Sequence, residues 1–267
     1  MKYGIIGCGN LGKALVRGLL YAGVEAQDIF VNVKSEQTKQ RVRAEFEQIA
    51  IVESKQELVN VTETIILVVE PKNAKEVLQE IGSYDLNGKS IISFMAGIKR
   101  AEIRQYLGEQ GKTACVVRVM PNVSIANGSG IMGITYDEAN KAMLEEVLEV
   151  FEKMGYVLQV DEDGLDTITV TAASGLAFAA SLMQAYQTAG NVLLQNEVAS
   201  REITLRVFEN VIDLIKKEGL SFADLVARIA TKGGTTEAGM NALNQEVIVE
   251  SMEACMQASL AKCKKIV

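Results

Sequence analysis

Histidine is absent from the whole chain. That excludes imidazole acid–base catalysis, His-based triads and His-ligated zinc, so any chemistry must rest on other groups, a bound cofactor first among them. Proline occurs only twice, which suits long uninterrupted helices, because each proline removes a donor and breaks the helical ladder. Four cysteines, Cys8, Cys115, Cys255 and Cys263, form no CxxC pair and read as reduced thiols of a cytoplasmic protein. The N-terminus enters Lys2-Tyr3-Gly4-Ile5-Ile6-Gly7 without a charged-then-apolar leader. No apolar run is expected to reach a membrane span; the longest candidates, such as Thr64–Val69, have the length of buried strands. Positive charge is in deficit, with 27 Lys and Arg against 34 Asp and Glu for a net charge of −7. A nucleic-acid partner needs clustered cations and is not expected. A small anionic ligand needs only a few local donors and stays open.

What the sequence does contain is 267 residues, 48% hydrophobic and 23% charged, the balance of a globular protein with room for two domains. Short runs rich in Val and Ile, Tyr3–Ile6, Ile29–Val33, Thr64–Val69, Ser90–Phe94 and Ala114–Val119, alternate with helical patterns over Asn10–Tyr21, Ser35–Phe46, Asn73–Ile81 and Lys99–Leu107. Two further strands, near Gly130–Thr135 and Tyr156–Val160, bracket a helix from about Asp137 to Met154. This alternation predicts an α/β fold, a doubly wound and mostly parallel sheet. After Asp161 strand signals vanish, and helices are expected over Asp163–Gln195, Arg201–Glu218, Ser221–Ile229 and Thr235–Lys262. The expected domains are therefore a Rossmann domain over residues 1–160 and an all-helical domain over residues 161–267. Helices so rich in small residues suggest packing against a second copy, as a homodimer or a ring of dimers. A compact monomeric bundle is the alternative.

Gly7-Cys8-Gly9-Asn10-Leu11-Gly12 is a GxGxxG placed directly after the first strand, at the start of a helix. In that position it is a dinucleotide fingerprint. Gly7 permits the tight turn, Gly9 lets the backbone approach the pyrophosphate, and Gly12 lets helix and strand pack closely. The amides of Asn10 and Leu11 face the phosphates. NAD sites usually place Asp or Glu about 20 residues further on to hold the ribose 2′-hydroxyl. Here that place is held by Asn32, followed by Val33, Lys34 and Ser35. Asn32, Lys34 and Ser35 can donate to a 2′-phosphate that a carboxylate would repel, which favours NADP(H) over NAD.

Late in the chain, Gly233-Gly234-Thr235-Thr236 leads into a helix, so backbone amides and two hydroxyls converge. That pattern is either a carboxylate-binding device or an ordinary helix start with a flexible approach. Together with Gly7–Gly12, Val69-Glu70-Pro71, Arg118-Val119-Met120-Pro121-Asn122 and Lys232–Gly239, it resembles the pyrroline-5-carboxylate reductase family along essentially the whole chain. The resemblance implies NADPH-dependent reduction of a cyclic imine acid, 1-pyrroline-5-carboxylate, to proline, by hydride transfer from the nicotinamide. It implies that Gly233, Gly234, Thr235 and Thr236 hold the substrate carboxylate, with the Thr236 hydroxyl near the ring nitrogen and Ser174 facing the substrate. It also implies that Val69, Glu70, Pro71, Ala96, Gly97, Met120, Pro121 and Asn122 line the nicotinamide. No metal enters this scheme.

Two departures bear on the substrate. The family normally has Lys between the Val and the Pro of the fourth-strand motif, where this chain has Glu70. It also carries a Gly-Ser-Gly-Pro-Ala-Tyr-like run, where this chain has Ala173-Ser174-Gly175-Leu176-Ala177-Phe178. A related NADP-linked imine reductase with a shifted substrate, or a catalytically weak dinucleotide-binding regulatory paralogue, therefore remain alternatives. Dehydrogenases of the β-hydroxyacid type generally use a lysine in the helical domain, and Thr167–Asn196 contains none.

Overall fold

The computed structural model describes residues 1–265; Ile266 and Val267, the end of the expected helical domain, lie outside the described residues. The described chain forms two compact units. One comprises Met1–Ser174 together with the segment from Ser259 onwards, and the other is Gly175–Ala258.

The first unit is built on an eight-stranded sheet. Its strands are β1 (Tyr3–Ile6), β2 (Ile29–Asn32), β3 (Ala50–Ile51), β4 (Thr64–Leu67), β5 (Ser90–Ser93), β6 (Cys115–Pro121), β7 (Gly130–Thr135) and β8 (Gly155–Gln159). They lie in the order β3-β2-β1-β4-β5-β6-β7-β8. The first six follow the order of a doubly wound dinucleotide fold. All neighbours are parallel except β6 and β7, so the expected mostly parallel sheet is present. The two-residue strand β3 escapes a pattern search because it is too short to carry a period.

Side chains alternate across this sheet into two cores. Tyr3, Ile5, Ile66, Ile92, Val117 and Val119 face one, with Leu15 and Leu19 of α1 (Asn10–Tyr21) and Val42 of α2 (Glu36–Glu45). Ile6, Ile65, Leu67, Ile91 and Val116 face the other. There they meet α3 (Lys55–Val61), α4 (Ala74–Ile81) and α5 (Arg100–Tyr106). Burial on both faces explains why the strands read as continuous apolar runs rather than alternating ones. Gly4 is pressed so closely by α3 that a Cβ there would lie 2.4 Å from the Leu58 side chain. Helix α6 (Lys141–Met154) returns to the first core through Leu144, Val147 and Phe151.

Beyond β8 the chain enters a 31-residue helical stretch, Gly164–Leu194. It begins as α7 (Gly164–Ile168), widens into a π-helical segment over Thr169–Ser174, and continues as α8 (Gly175–Leu194). Contrary to the expectation that no apolar run reaches that length, this stretch is long and apolar enough to cross a membrane. Interspersed Ser, Thr, Gly and Gln conceal the run from inspection. The second unit pairs α8 with α9 (Glu197–Glu218), which the Asn196 side chain caps through the Ala199 amide. Tyr186 packs edge-on to Phe208, centroids 5.7 Å apart, and Asn191 accepts from the Ser200 hydroxyl at 3.3 Å. Helix α10 (Phe222–Ile229) starts with a capping box between Ser221 and Asp224.

The expected single helix Thr235–Lys262 is in fact two, α11 (Thr235–Ala242) and α12 (Gln245–Cys263). Leu243 leaves the helical region and Asn244 caps the next helix through the Val247 amide. An asparagine side chain that competes for backbone donors supplies the break.

Candidate active site

Helix α1 starts at the carboxyl end of β1, and no side chain caps it. The three glycines of the phosphate loop differ in what surrounds them. Gly7 adopts φ +93°, and a Cβ there would lie 2.6 Å from the Val68 carbonyl oxygen. At Gly12 a Cβ would lie 2.7 Å from the Gly7 carbonyl oxygen, whereas at Gly9 it would meet nothing within 4 Å. Two glycines thus serve the fold, and the third leaves room beside bare helix amides. That is the form a pyrophosphate requires, so the loop fits a dinucleotide. Cys8 is buried within the turn. Burial pushes its thiol up to about 11, Lys13 opposing and Glu45 adding to the rise.

This loop opens on a cleft of about 820 Å³ whose walls include Gly7, Cys8, Gly9, Asn32, Lys34, Ser35, Val69 and Glu70. Asn32 is anchored, its side-chain amide donating to the Val52 carbonyl and its own carbonyl accepting from Gly7. The Ser35 hydroxyl accepts from the Thr38 amide as the cap of α2. Lys34 is 95% exposed, with only a 3.8 Å contact to Glu76. Thr38, Lys39 and Glu53 also line this cleft, residues that sequence reasoning passed over. Glu70 sits at its edge, paired with Lys72 at 2.5 Å.

A second cleft, of about 370 Å³, joins Leu11, Val69, Pro71, Ala96, Met120, Pro121 and Asn122 with Ala173 of the π segment. Val69 walls both clefts. Apart from Leu11 and Ala173, these residues lie at or after the carboxyl ends of β4, β5 and β6, where open α/β sheets place their ligands. Gly97 instead borders a neighbouring polar cavity. Asn122 is a structural joint: its carboxamide donates to the Ala172 carbonyl at 3.2 Å and accepts from the Ser124 and Ile131 amides. It thereby ties the π segment to the end of β6. Ser174 stands next to the cleft wall, its hydroxyl 3.4 Å from that of Ser259.

A partly buried ion cluster centred on Arg118 was not apparent in the sequence. Arg118 of β6 is 2% exposed and pairs with Glu162, which also receives Arg100 at 2.8 Å; Arg100 and Arg104 hold Asp137. Arg118 Nε and Nη2 have no partner among the described residues. Burial by itself would raise the Glu162 carboxyl, but hydrogen bonds from Arg118 and Arg100 outweigh it and hold the group below its ordinary range. Lone charged residues scattered along a chain show no pattern that predicts such a cluster.

In the second unit, Gly233 takes φ +77° and Gly234 begins α11 without a side-chain cap. The Gly233 amide donates to the Glu237 carboxylate at 2.8 Å, and the Gly234 amide to the Thr231 carbonyl at 3.0 Å. Thr235 and Thr236 are exposed at the helix start.

Comparison with known proteins bears on the chain as a whole. Residues 2–97 match a family model described as NADP oxidoreductase, coenzyme F420-dependent. Residues 162–266 match one described as pyrroline-5-carboxylate reductase dimerisation. The chain is 27% identical over 267 residues to pyrroline-5-carboxylate reductase 2 of Bacillus subtilis, covering 99% of this chain and 95% of that protein. A solved structure of a pyrroline-5-carboxylate reductase from Coxiella burnetii shares the fold, with a TM-score of 0.88 at 22% identity over 99% of this chain and 98% of that one. That from Plasmodium falciparum, with NADP bound, reaches 0.86 at 22% identity over 100% and 98%. The pyrroline-5-carboxylate reductase of Aquifex aeolicus is 30% identical over 272 residues, spanning 100% of this chain and 97% of its own. With that likeness running from the phosphate loop through the Gly-Gly-Thr-Thr helix start, the chain belongs to the pyrroline-5-carboxylate reductase family.

Proposed function

We propose that this protein reduces 1-pyrroline-5-carboxylate to proline with NADPH. The observation that carries the reading is the pair of clefts sharing Val69: one beside the bare start of α1, the other small and largely apolar at the strand ends. The residues of these clefts would hold NADPH, which would supply the hydride for the imine carbon. The chain's own part is to position and to exclude water, since a cyclic iminium is already electrophilic. Gly7 and Gly12 shape the turn, while Gly9, Asn10 and Leu11 offer the pyrophosphate open space and amides. Val69, Pro71, Ala96, Met120 and Pro121 give the nicotinamide an apolar seat, and Asn122 fixes the wall behind it. Thr235 and Thr236 present amides and hydroxyls for the substrate carboxylate, with Thr236 nearest the ring nitrogen. Ser174 lies one residue from the cleft wall and is assigned a substrate-facing role in this reading. This activity needs no imidazole, in keeping with a chain that has none.

The working form in this reading is a homodimer or a ring of dimers in the cytoplasm. Support comes from α8, which has no buried residue within the chain although it is largely apolar.

One observation favours a shifted substrate as the second reading. The Glu237 carboxylate already occupies the Gly233 amide, a donor expected for the substrate carboxylate. Following NADPH oxidation with racemic pyrroline-5-carboxylate, beside imine acids of other ring size, decides between them. Rapid turnover of pyrroline-5-carboxylate supports the first reading. Turnover only of the variants supports the second, and NADPH binding without any turnover points to a regulatory paralogue.

A further inference from the structure

We propose that Lys39 and Glu53, rather than Lys34 or Ser35, discriminate between NADPH and NADH: Lys39 takes the 2′-phosphate of NADPH, and Glu53 accepts from the ribose hydroxyls of NADH. The inference rests on the cofactor reading above and concerns only the adenosine end of the larger cleft.

The groups that follow β2 are mostly committed elsewhere. The Asn32 amide is spent on the Val52 carbonyl, the Ser35 hydroxyl caps α2, and Lys34 extends almost wholly into solvent. A fully solvated, freely rotating ammonium gains little from a single ion pair, because entropy and screening offset the attraction. Lys39 is different. It sits one turn into α2, directly behind the Ser35 cap, with its side chain only 14% exposed. Its ammonium lies 2.5 Å from Glu53 Oε2, and both residues line the cleft. Packing has already removed most of its rotamer freedom, so a phosphate that replaces the carboxylate finds a prepositioned donor. Lys55, the third cation on this wall, is held by Glu80 of α4 at 2.7 Å, away from the β2–α2 junction where a 2′-substituent is read.

Glu53 explains the second half of the proposal. Dinucleotide folds that accept NADH need a carboxylate near the ribose, and none stands at the end of β2. Glu53, two residues beyond β3 and on the same cleft wall, provides one. With NADPH, Lys39 turns from this carboxylate to the phosphate. With NADH, the pair stays joined and the free carboxylate oxygen meets the hydroxyls. A chain built this way uses both cofactors, with NADPH ahead.

The test is fluorescence titration of the intact protein with NADPH and with NADH, without substrate, alongside kcat/KM where turnover is found. Lys39→Met is expected to weaken NADPH binding by about tenfold or more, the size of a charge-assisted hydrogen bond, and to leave NADH within about twofold. Lys39→Arg should retain NADPH, which separates loss of charge from loss of packing. Glu53→Gln should weaken NADH by about threefold or more and leave NADPH unchanged or tighter. Lys34→Met and Lys55→Met should change either nucleotide by less than about threefold. Equal losses for both nucleotides in Lys39→Met, no loss in that variant, or a selective NADPH loss in Lys34→Met would overturn the assignment. Wild-type protein that binds both nucleotides without turning over any imine sinks the substrate reading alone. Wild-type protein that binds neither sinks both.

Discussion

Among single residues the three glycines of the phosphate loop separate folding from binding. Gly7 holds a positive φ against the Val68 carbonyl, so Gly7→Ala must distort the turn, at a cost of about 1–3 kcal/mol in urea denaturation as well as lost nucleotide binding. Gly9 faces open space, and Gly9→Ala should unfold like the wild type while its methyl group, standing where phosphate must approach, weakens NADPH by about tenfold or more in titration. If both variants behaved alike, the division of labour drawn here would be wrong. Thr236 is the residue to probe at the substrate end. Thr236→Ala should lower kcat/KM for the imine by about tenfold or more and leave NADPH affinity intact; unchanged kcat/KM would remove Thr236 from the site. The loop glycines were legible, because a motif tied to a strand–helix junction states its own geometry; Thr236 was legible only as part of a helix start. Ser174, Asn122 and Glu70 were legible as positions only. Their partners, Ser259, Ala172 and Lys72, come from tertiary proximity or a local rotamer that no motif specifies.

The chain beyond β8, β6 and α5 are joined by a partly buried ion cluster. Glu162 joins the loop after β8 to Arg118 in the sheet and to Arg100 at the start of α5. Glu162→Ala strands the buried Arg118 guanidinium and should cost about 3 kcal/mol in urea denaturation, much more than an exposed pair such as Lys217–Asp213. The same cluster gives an acid dependence. Glu162 and Asp137 both titrate lower in the folded protein than in the unfolded chain, their arginine partners outweighing burial. The unfolded state therefore binds protons first as pH falls. The stability they contribute is complete above about pH 4.3 and is lost below it, as pH drops through the folded values. Urea midpoints at pH 7 and near pH 3.5 should differ less in Glu162→Gln than in the wild type; an equal difference would show that other carboxylates govern acid unfolding. The helices around this cluster were readable from their period. The break after Ala242 was not, since one Asn capping the next helix looks like any other polar residue on a helix face.

At the scale of the whole molecule, α8 and α9 present an uncovered apolar face. Val192 and Leu193 on α8 and Val198 and Ile203 on α9 are all exposed in the single chain. Light scattering coupled to size-exclusion chromatography is expected to show a dimer or a multiple of dimers. Leu193→Asp should shift it toward monomer and lower activity, because a charge placed in an apolar contact has no partner. A monomer in the wild type would refute the assembly proposed here.

Local sequence determined the alternation of buried strands and helices, the phosphate loop and the Gly-Gly-Thr-Thr helix start, because each depends on near-neighbour spacing and on what glycine alone can adopt. Tertiary structure decided which polar groups remain free. It spent Asn32 and Ser35 on the backbone, drew Lys39 to Glu53, and closed Arg118 over Glu162. Hydrogen-bond and charge partners are chosen by distance in space, and in this fold β2 meets the end of β3, and β6 the chain beyond β8, only once the sheet has formed.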